Sequence, residues 1–176
     1  FEKLLKVYPD NLSLLRNISH AYAFLGDFKK AEENIKKIIK IKPDEPFAYQ
    51  FLASVLKNQD KITEMIKIVD EGLEKNLINK KWEFQKKLLS PLIAGDKKEI
   101  DDYRKKIEKG LEEMISSDIK LDYDNDQVIS PPLFEITYTD KDNLEINKKM
   151  VKALKKIYQP LNHKISTNKK LNDKIK

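Results

Sequence analysis

Cysteine is absent from these 176 residues, which removes disulfides and thiolate metal sites and fits a reducing compartment, so the cytoplasm is the expected location. The four glycines, Gly26, Gly72, Gly95 and Gly110, are too scattered to build a Gly-rich phosphate loop. His20 and His163 stand far apart with no nucleophile near either, so no catalytic group and no cofactor site are expected. Arginine is nearly missing: Arg16 and Arg104 are two among 35 basic residues, although base and phosphate recognition favours the bidentate guanidinium fork. No apolar run approaches membrane-spanning length, and no membrane contact is expected.

What is present is charge and aliphatic side chains in alternation, at 36% charged and 40% hydrophobic, too apolar for disorder throughout. The net charge of +6 is local. Ten lysines from Leu144 to Lys176 face only Glu145 and Asp173, and the rest of the chain is slightly acidic. A solvated lysine-rich end explains this better than a nucleic-acid-binding face, so nucleic acid is not the expected partner.

A repeat carries the main signal. Leu25-Gly26-Asp27-Phe28-Lys29-Lys30-Ala31 is echoed by Ala94-Gly95-Asp96-Lys97-Lys98-Glu99, and the two glycines lie 69 positions apart, two periods of 34 plus one. Midway stands the polar turn Asn58-Gln59-Asp60-Lys61. A unit starting at Leu12 puts Leu15, Ile18, Ser19 and Tyr22 on one face of a first helix. It puts Ala31, Ile35 and Ile38 on one face of a second, closed by Pro43. The next unit starts at Pro46, with Tyr49, Leu52, Ala53 and Leu56, then Met65, Val69 and Gly72. A period of 34 with this layout is that of the tetratricopeptide repeat, which the chain resembles.

The spacing predicts antiparallel helix pairs at 12–25 with 28–41, 46–57 with 62–75, and 80–93 with 97–116. The last pair, with Trp82, Phe84, Leu88 and Leu89, then Ile107, Leu111 and Met114, is an expected capping unit in which Pro91 ends or kinks the first helix. Residues 1–8 are a lone helix matching the end of an earlier unit, so the chain is expected to be a piece of a longer protein. Residues 117–132 read as a polar linker. The β-branched and aromatic run 133–139 is the one strand candidate. Asp142-Asn143 then caps a helix with Ile146, Met150, Val151, Leu154, Ile157 and Tyr158 on its apolar face. The expected fold is thus mainly all-α: helical repeats over 1–116, a linker over 117–132, and a short strand–helix element over 133–176.

In such an array the first helix of each unit lines an inner groove. By register that lining holds Ser13, Arg16, Asn17, His20 and Phe24, then Phe47, Gln50, Ser54, Lys57 and Asn58. Arg16, Asn17, His20, Phe24, Gln50, Ser54, Lys57 and Asn58 are the candidate contacts to a protein or peptide. Asp122, Asp124, Asn125 and Asp126 imitate a calcium loop, but Gln127 stands where glycine is required and Leu133 where a bidentate glutamate is required, so no metal is expected.

The stretch Pro132-Leu133-Phe134-Glu135-Ile136-Thr137-Tyr138, then Asp142-Asn143, then the helix reaching Ile157-Tyr158-Gln159-Pro160-Leu161, resembles the junction before the catalytic lobes of bacterial SPINDLY / O-linked N-acetylglucosamine transferase-like proteins. Ala94-Gly95-Asp96 matches a turn of that family, and Thr139-Asp140 departs where the family often has His-Gly. The resemblance implies a repeat region that binds an acceptor segment for a nucleotide-sugar-dependent protein glycosyltransferase, whose catalytic lobes are not in these residues. It also implies that Asn17 holds the place of an asparagine that bonds acceptor backbone, a ladder broken at Phe51 in the next unit. The alternative is a free-standing repeat scaffold for protein–protein interaction.

Overall fold

In the computed structural model, residues 2–90, 96–122, 129, 136–137 and 141–158 are described. Among them the chain is a series of helices: α1 (Glu2–Val7), α2 (Leu12–Phe24), α3 (Phe28–Ile41), α4 (Pro46–Asn58), α5 (Ile62–Glu74), α6 (Lys81–Gln85) running into one 3-10 turn (Lys86–Leu88), α7 (Lys97–Ser116) and α8 (Leu144–Ile157). Neighbours in sequence pack together, α2 on α3, α3 on α4, α4 on α5, and α7 on both the 3-10 turn and α8. This is the helix-pair solenoid that the 34-residue period predicts.

Local chemistry sets the helix ends. Asn11, Asp27 and Asp96 accept from the backbone N–H groups of Leu14, Lys30 and Glu99 at 3.0, 3.1 and 2.8 Å, satisfying donors that have no partner inside the helix. Pro46 opens α4, where its missing N–H costs nothing. The turns repeat with the sequence period. Gly26 has φ +79° and Asp60, 34 positions later, has φ +59°. The N–H of Asp27 reaches Tyr22 O at 2.9 Å, and that of Lys61 reaches Leu56 O at 3.0 Å. Both close the preceding helix through a left-handed residue.

The first core gathers Leu15, Ala31, Ile35, Ile38, Tyr49, Leu52, Ala53, Leu56, Met65 and Val69, with Leu5 of α1 packed at its edge. Each fully buried aliphatic here contributes about 1.5–3 kcal/mol relative to exposure. Three polar side chains at this core, Ser19, Tyr49 and Glu32, are paired, whereas the buried Trp82 Nε1 has no hydrogen-bond partner among the described residues. Ser19 donates to Leu15 O at 2.7 Å, and the Tyr49 hydroxyl lies 3.0 Å from Pro43 O and from Glu71 Oε1 while accepting from Lys75 Nζ at 2.9 Å. Glu32, with 8% of its side chain exposed, pins α3 to the next unit by accepting from Lys61 Nζ at 2.7 Å and Gln59 Nε2 at 2.8 Å.

The expected helix at 80–93 is shorter. Its α-helical part stops at Gln85 and tightens into the 3-10 turn, Leu89 and Ser90 are non-helical, and Pro91 and Gly95 lie outside the described residues. Two opposed demands account for this. Trp82 and Leu89 pack into the first core, whereas Phe84 and Leu88 pack into a second. The second core joins Phe84 and Leu88 to Ile107, Leu111 and Met114 of α7 and to Ile146, Met150, Ala153 and Ile157 of α8.

That second core also contains Leu121, Ile129 and Ile136, so it crosses the divisions drawn at 116/117 and 132/133. Leu121 N donates to Ile157 O at 3.1 Å, and Ile129 N donates to the Tyr158 hydroxyl at 2.8 Å. The strand expected at 133–139 fails where it is described: Ile136 and Thr137 are helical, and the remainder lies outside the described residues. Val151, expected on the apolar face of α8, is 54% exposed. Asp142 caps α8 by accepting from Leu144 N at 2.9 Å, while Asn143 instead bonds Arg104 of α7 and donates to Ile136 O at 3.1 Å.

Candidate peptide-binding groove

The predicted contacts fall on two helices, α2 and α4, the first helices of consecutive units. On α2, Arg16, Asn17, His20 and Phe24 are exposed, Phe24 to 93%. On α4, Gln50, Ser54 and Lys57 are half-buried and Asn58 is exposed. Their spacing within each helix follows from the burial of Leu15, Ile18 and Ser19 on α2 and of Tyr49, Leu52, Ala53 and Leu56 on α4, which turns the intervening positions outward.

Four of the side chains between these helices form a cluster. His20 stacks on Phe51 with ring centroids 4.3 Å apart and 29° between planes. Phe47 lies 5.3 Å from His20 and 5.2 Å from Phe51, both tilted. The Arg16 guanidinium sits 4.3 Å above the Phe47 ring and donates to Glu45 Oε1 at 2.9 Å. Delocalised cation over ring faces is a favourable arrangement, worth about 0.5–1 kcal/mol at an exposed site. Lys42 holds the other Glu45 oxygen at 3.0 Å, and chiefly this bond keeps the Glu45 carboxyl below the usual range.

The remaining candidates are not drawn into that cluster. Ser54 donates to Gln50 O at 3.1 Å and Asn58 donates to Ser54 O at 2.9 Å, so both spend a donor on their own helix. Asn17, Gln50 and Lys57 have no side-chain partner among the described residues. Phe47 and Phe51 are the residues that sequence reasoning underweights. Their signal is a pair of large rings at i and i+4 on lining positions, one of them at the register place of Asn17. Beside Arg16 is a depression of about 210 Å³ lined by Leu12, Ser13, Ile38 and Glu45.

The groove does not continue unchanged into α6. Trp82 and Leu89 are seven apart and enter the first core, as do Tyr49 and Leu56 of α4. On that alignment Phe84 stands in the place of Phe51, and it is buried in the second core. Larger depressions exist away from the groove. One of about 430 Å³ is lined by Asp96, Lys98, Glu99, Asp102, Tyr103 and Lys106, where burial pushes the Tyr103 phenol up. Its walls are mostly charges of both signs. Asp122 is exposed, and Asp124, Asn125 and Asp126 lie outside the described residues. Among the described residues no cluster of three or more His, Asp or Glu side chains is arranged to hold a metal ion, and no helix is long and apolar enough to cross a membrane.

The comparisons agree with the repeat. Residues 13–45 match the family described as Tetratricopeptide repeat. The chain is 40% identical over 60 residues to Protein CTR9 homolog of Arabidopsis thaliana, covering 34% of this chain and 6% of that protein. It is 29% identical over 73 residues to the aspartyl/asparaginyl beta-hydroxylase of Homo sapiens, covering 42% of this chain and 10% of that protein. The chain thus spans a tenth or less of the length of these curated relatives. No solved structure matches it.

Proposed function

We propose that these repeats are a protein-interaction scaffold that holds an extended protein segment across the groove between α2 and α4. The observation that carries this reading is the Arg16–Phe47–Phe51–His20 cluster, in which rings and a guanidinium lie together on lining positions of two neighbouring repeats, with Phe47 and Phe51 partly buried against the edge of the first core. Rings and an arginine at a surface are the side chains that carry most binding energy in protein interfaces. Asn17 and Gln50 supply amides that both donate to and accept from a peptide backbone. The test is isothermal titration of the chain with a panel of extended protein segments, repeated with Phe51→Glu. Loss of binding with an unchanged melting temperature supports the groove; full affinity in the variant overturns it.

A second reading is that the chain is the acceptor-binding and junction region of a SPINDLY-like protein glycosyltransferase working in the cytoplasm. It is favoured by one observation. Arg104 of α7, the helix that Asp96 caps, reaches Asn143 Oδ1 and, at 2.7 Å, Asp142 O, so the helix opened by the first motif touches the second. On this reading the isolated chain binds acceptor segments weakly and transfers no sugar, since net gains of about 0.5–1.5 kcal/mol per backbone hydrogen bond accumulate slowly. Incubation of the full-length protein with acceptor and a labelled nucleotide sugar decides it: absence of transfer eliminates the transferase reading and leaves the scaffold.

A further inference from the structure

Helix α8 carries apolar side chains on two sides. Ile146, Met150, Ala153 and Ile157 are buried in the second core. Leu144 and Val151 are instead 56% and 54% exposed. From this second apolar line and the charges beside it, we infer that the outward face of α8 is a docking surface for an acidic amphipathic helix of a partner protein. It involves none of the groove residues and does not depend on the groove reading.

Rotation around the helix decides which side chains share that face. Leu144 and Val151, seven residues apart, differ by roughly 20° of rotation and roughly 10.5 Å of rise. Lys148 and Lys155 fall with them inside an arc of roughly 60°, and Lys152 borders it. All three lysines are exposed. The four buried residues lie on the far side, roughly 180° to 240° round from Leu144. Aliphatic and cationic side chains thus alternate along one outward line, Leu144, Lys148, Val151, Lys155, that runs for about three turns.

Charge decides the kind of partner. Carboxylates from outside α8 meet its flank: Glu108 and Glu112 of α7 hold Lys149 at 3.0 and 2.8 Å, and Asp118 lies 4.0 Å from Lys156. Within α8 the one acid is Glu145, in an exposed pair with Lys148 at 2.8 Å that costs little to exchange for another carboxylate. Lys152 has no side-chain partner among the described residues. A second copy of this face would set lysine against lysine, and residues 159–176 add five lysines for one aspartate, so neither supplies the missing charge. Two half-exposed aliphatics also offer far less apolar area than a single acyl chain, which by itself holds a protein to a bilayer only marginally. A facing helix suits both features. Its apolar side chains meet Leu144 and Val151, and acidic residues flanking them meet the lysines, as flanking ion pairs set partner choice between helices.

The test uses fluorescein-labelled alanine-based peptides of about 21 residues, long enough to be helical in water, read by anisotropy against the whole chain. One carries leucine at every seventh position with glutamates beside it. Controls replace the glutamates by lysine or the leucines by alanine. The acidic leucine peptide is expected to bind about fivefold tighter than either control, with affinity falling as salt rises. Leu144→Ala with Val151→Ala should erase the preference for leucine. Lys148→Glu with Lys152→Glu should erase or invert the preference for acid. None of these four side chains lies in the second core, and far-ultraviolet dichroism and melting check that α8 is kept; should a double variant lose it, Val151→Ser and Lys152→Glu alone give the same readouts. Acidic-peptide binding that survives both changes to α8 overturns the inference, and if Phe51→Glu abolishes that binding instead, the scaffold reading stands without it. If the acidic peptide fails to bind while phosphatidylserine vesicles or a DNA duplex do, the face serves a different anion and the inference is likewise overturned.

Discussion

Glu32 on α3 and Lys61 at the entrance to α5 are joined across a repeat boundary, Oε2 to Nζ at 2.7 Å, with Lys36 on the other carboxylate oxygen. Burial pushes this carboxyl up, but hydrogen bonds from Lys36, Lys61 and Gln59 outweigh it and bring the pKa from 4.5 down to about 2. A folded-state pKa below the unfolded value gives stability that is present above about pH 4.5 and lost as the pH falls towards 2. Glu32→Gln should therefore cost about 2–3 kcal/mol at neutral pH. The gap to the parent chain should close on acidification. Urea unfolding at pH 7, 4 and 2.5 checks this; a gap that stays constant over that range refutes the assignment.

Leu52 is fully buried in the first core, whereas Lys57, five residues on, is a half-buried candidate lining residue. Leu52→Ala should cost about 2–5 kcal/mol through lost contacts and a cavity. Lys57→Ala should stay within about 0.5 kcal/mol. Chemical denaturation of the two variants measures both, and equal costs would mean the repeat register is misplaced.

Two glycines should respond to alanine for different reasons. At Gly26 an added Cβ meets nothing within 4 Å, so the cost is the left-handed backbone alone, about 1–2 kcal/mol. At Gly110, within α7, the Cβ would fall 2.9 Å from Lys87 Cβ and 3.0 Å from Lys87 O. Alanine raises helix propensity there by about 1 kcal/mol, yet the variant should be less stable because α7 must move off the 3-10 turn. A stabilised Gly110→Ala chain in a thermal melt would contradict that close approach.

Arg104 ties α7 to the start of α8 through Asn143 and Asp142. Arg104→Ala should lower hydrogen-exchange protection in α8 while leaving α2 to α5 unchanged. The loss should be on the order of 1–3 kcal/mol, as for hydrogen bonds from a charged donor. Equal loss of protection in α2 to α5 would count against a role confined to this junction.

The repeats were legible because their signals are local and recur. Gly26 and Asp60 mark the same turn 34 residues apart, and Leu15, Tyr49 and their neighbours repeat one apolar stripe. The groove positions followed from that register, but the His20–Phe51 stack did not, since it depends on how closely two units pack. Propensity failed where tertiary contacts decide. Ile136 and Thr137 favour a strand, yet both are helical, with Ile136 buried in the second core and its carbonyl accepting from Asn143. The polar composition of 117–132 likewise hid Leu121 and Ile129, two isolated side chains whose burial no periodic pattern announces.

The short helix α6 has a wall on each side. Trp82 is seated with the repeats, and Phe84, two residues later, with α7 and α8. A helix gripped from both directions is a stopper for the solenoid: any further unit stacked after it in register would have to claim the flank that Phe84 and Leu88 already occupy. It is also a shared splice, since the same five residues seat one ring in the core of the repeats and another in the core of α7 and α8.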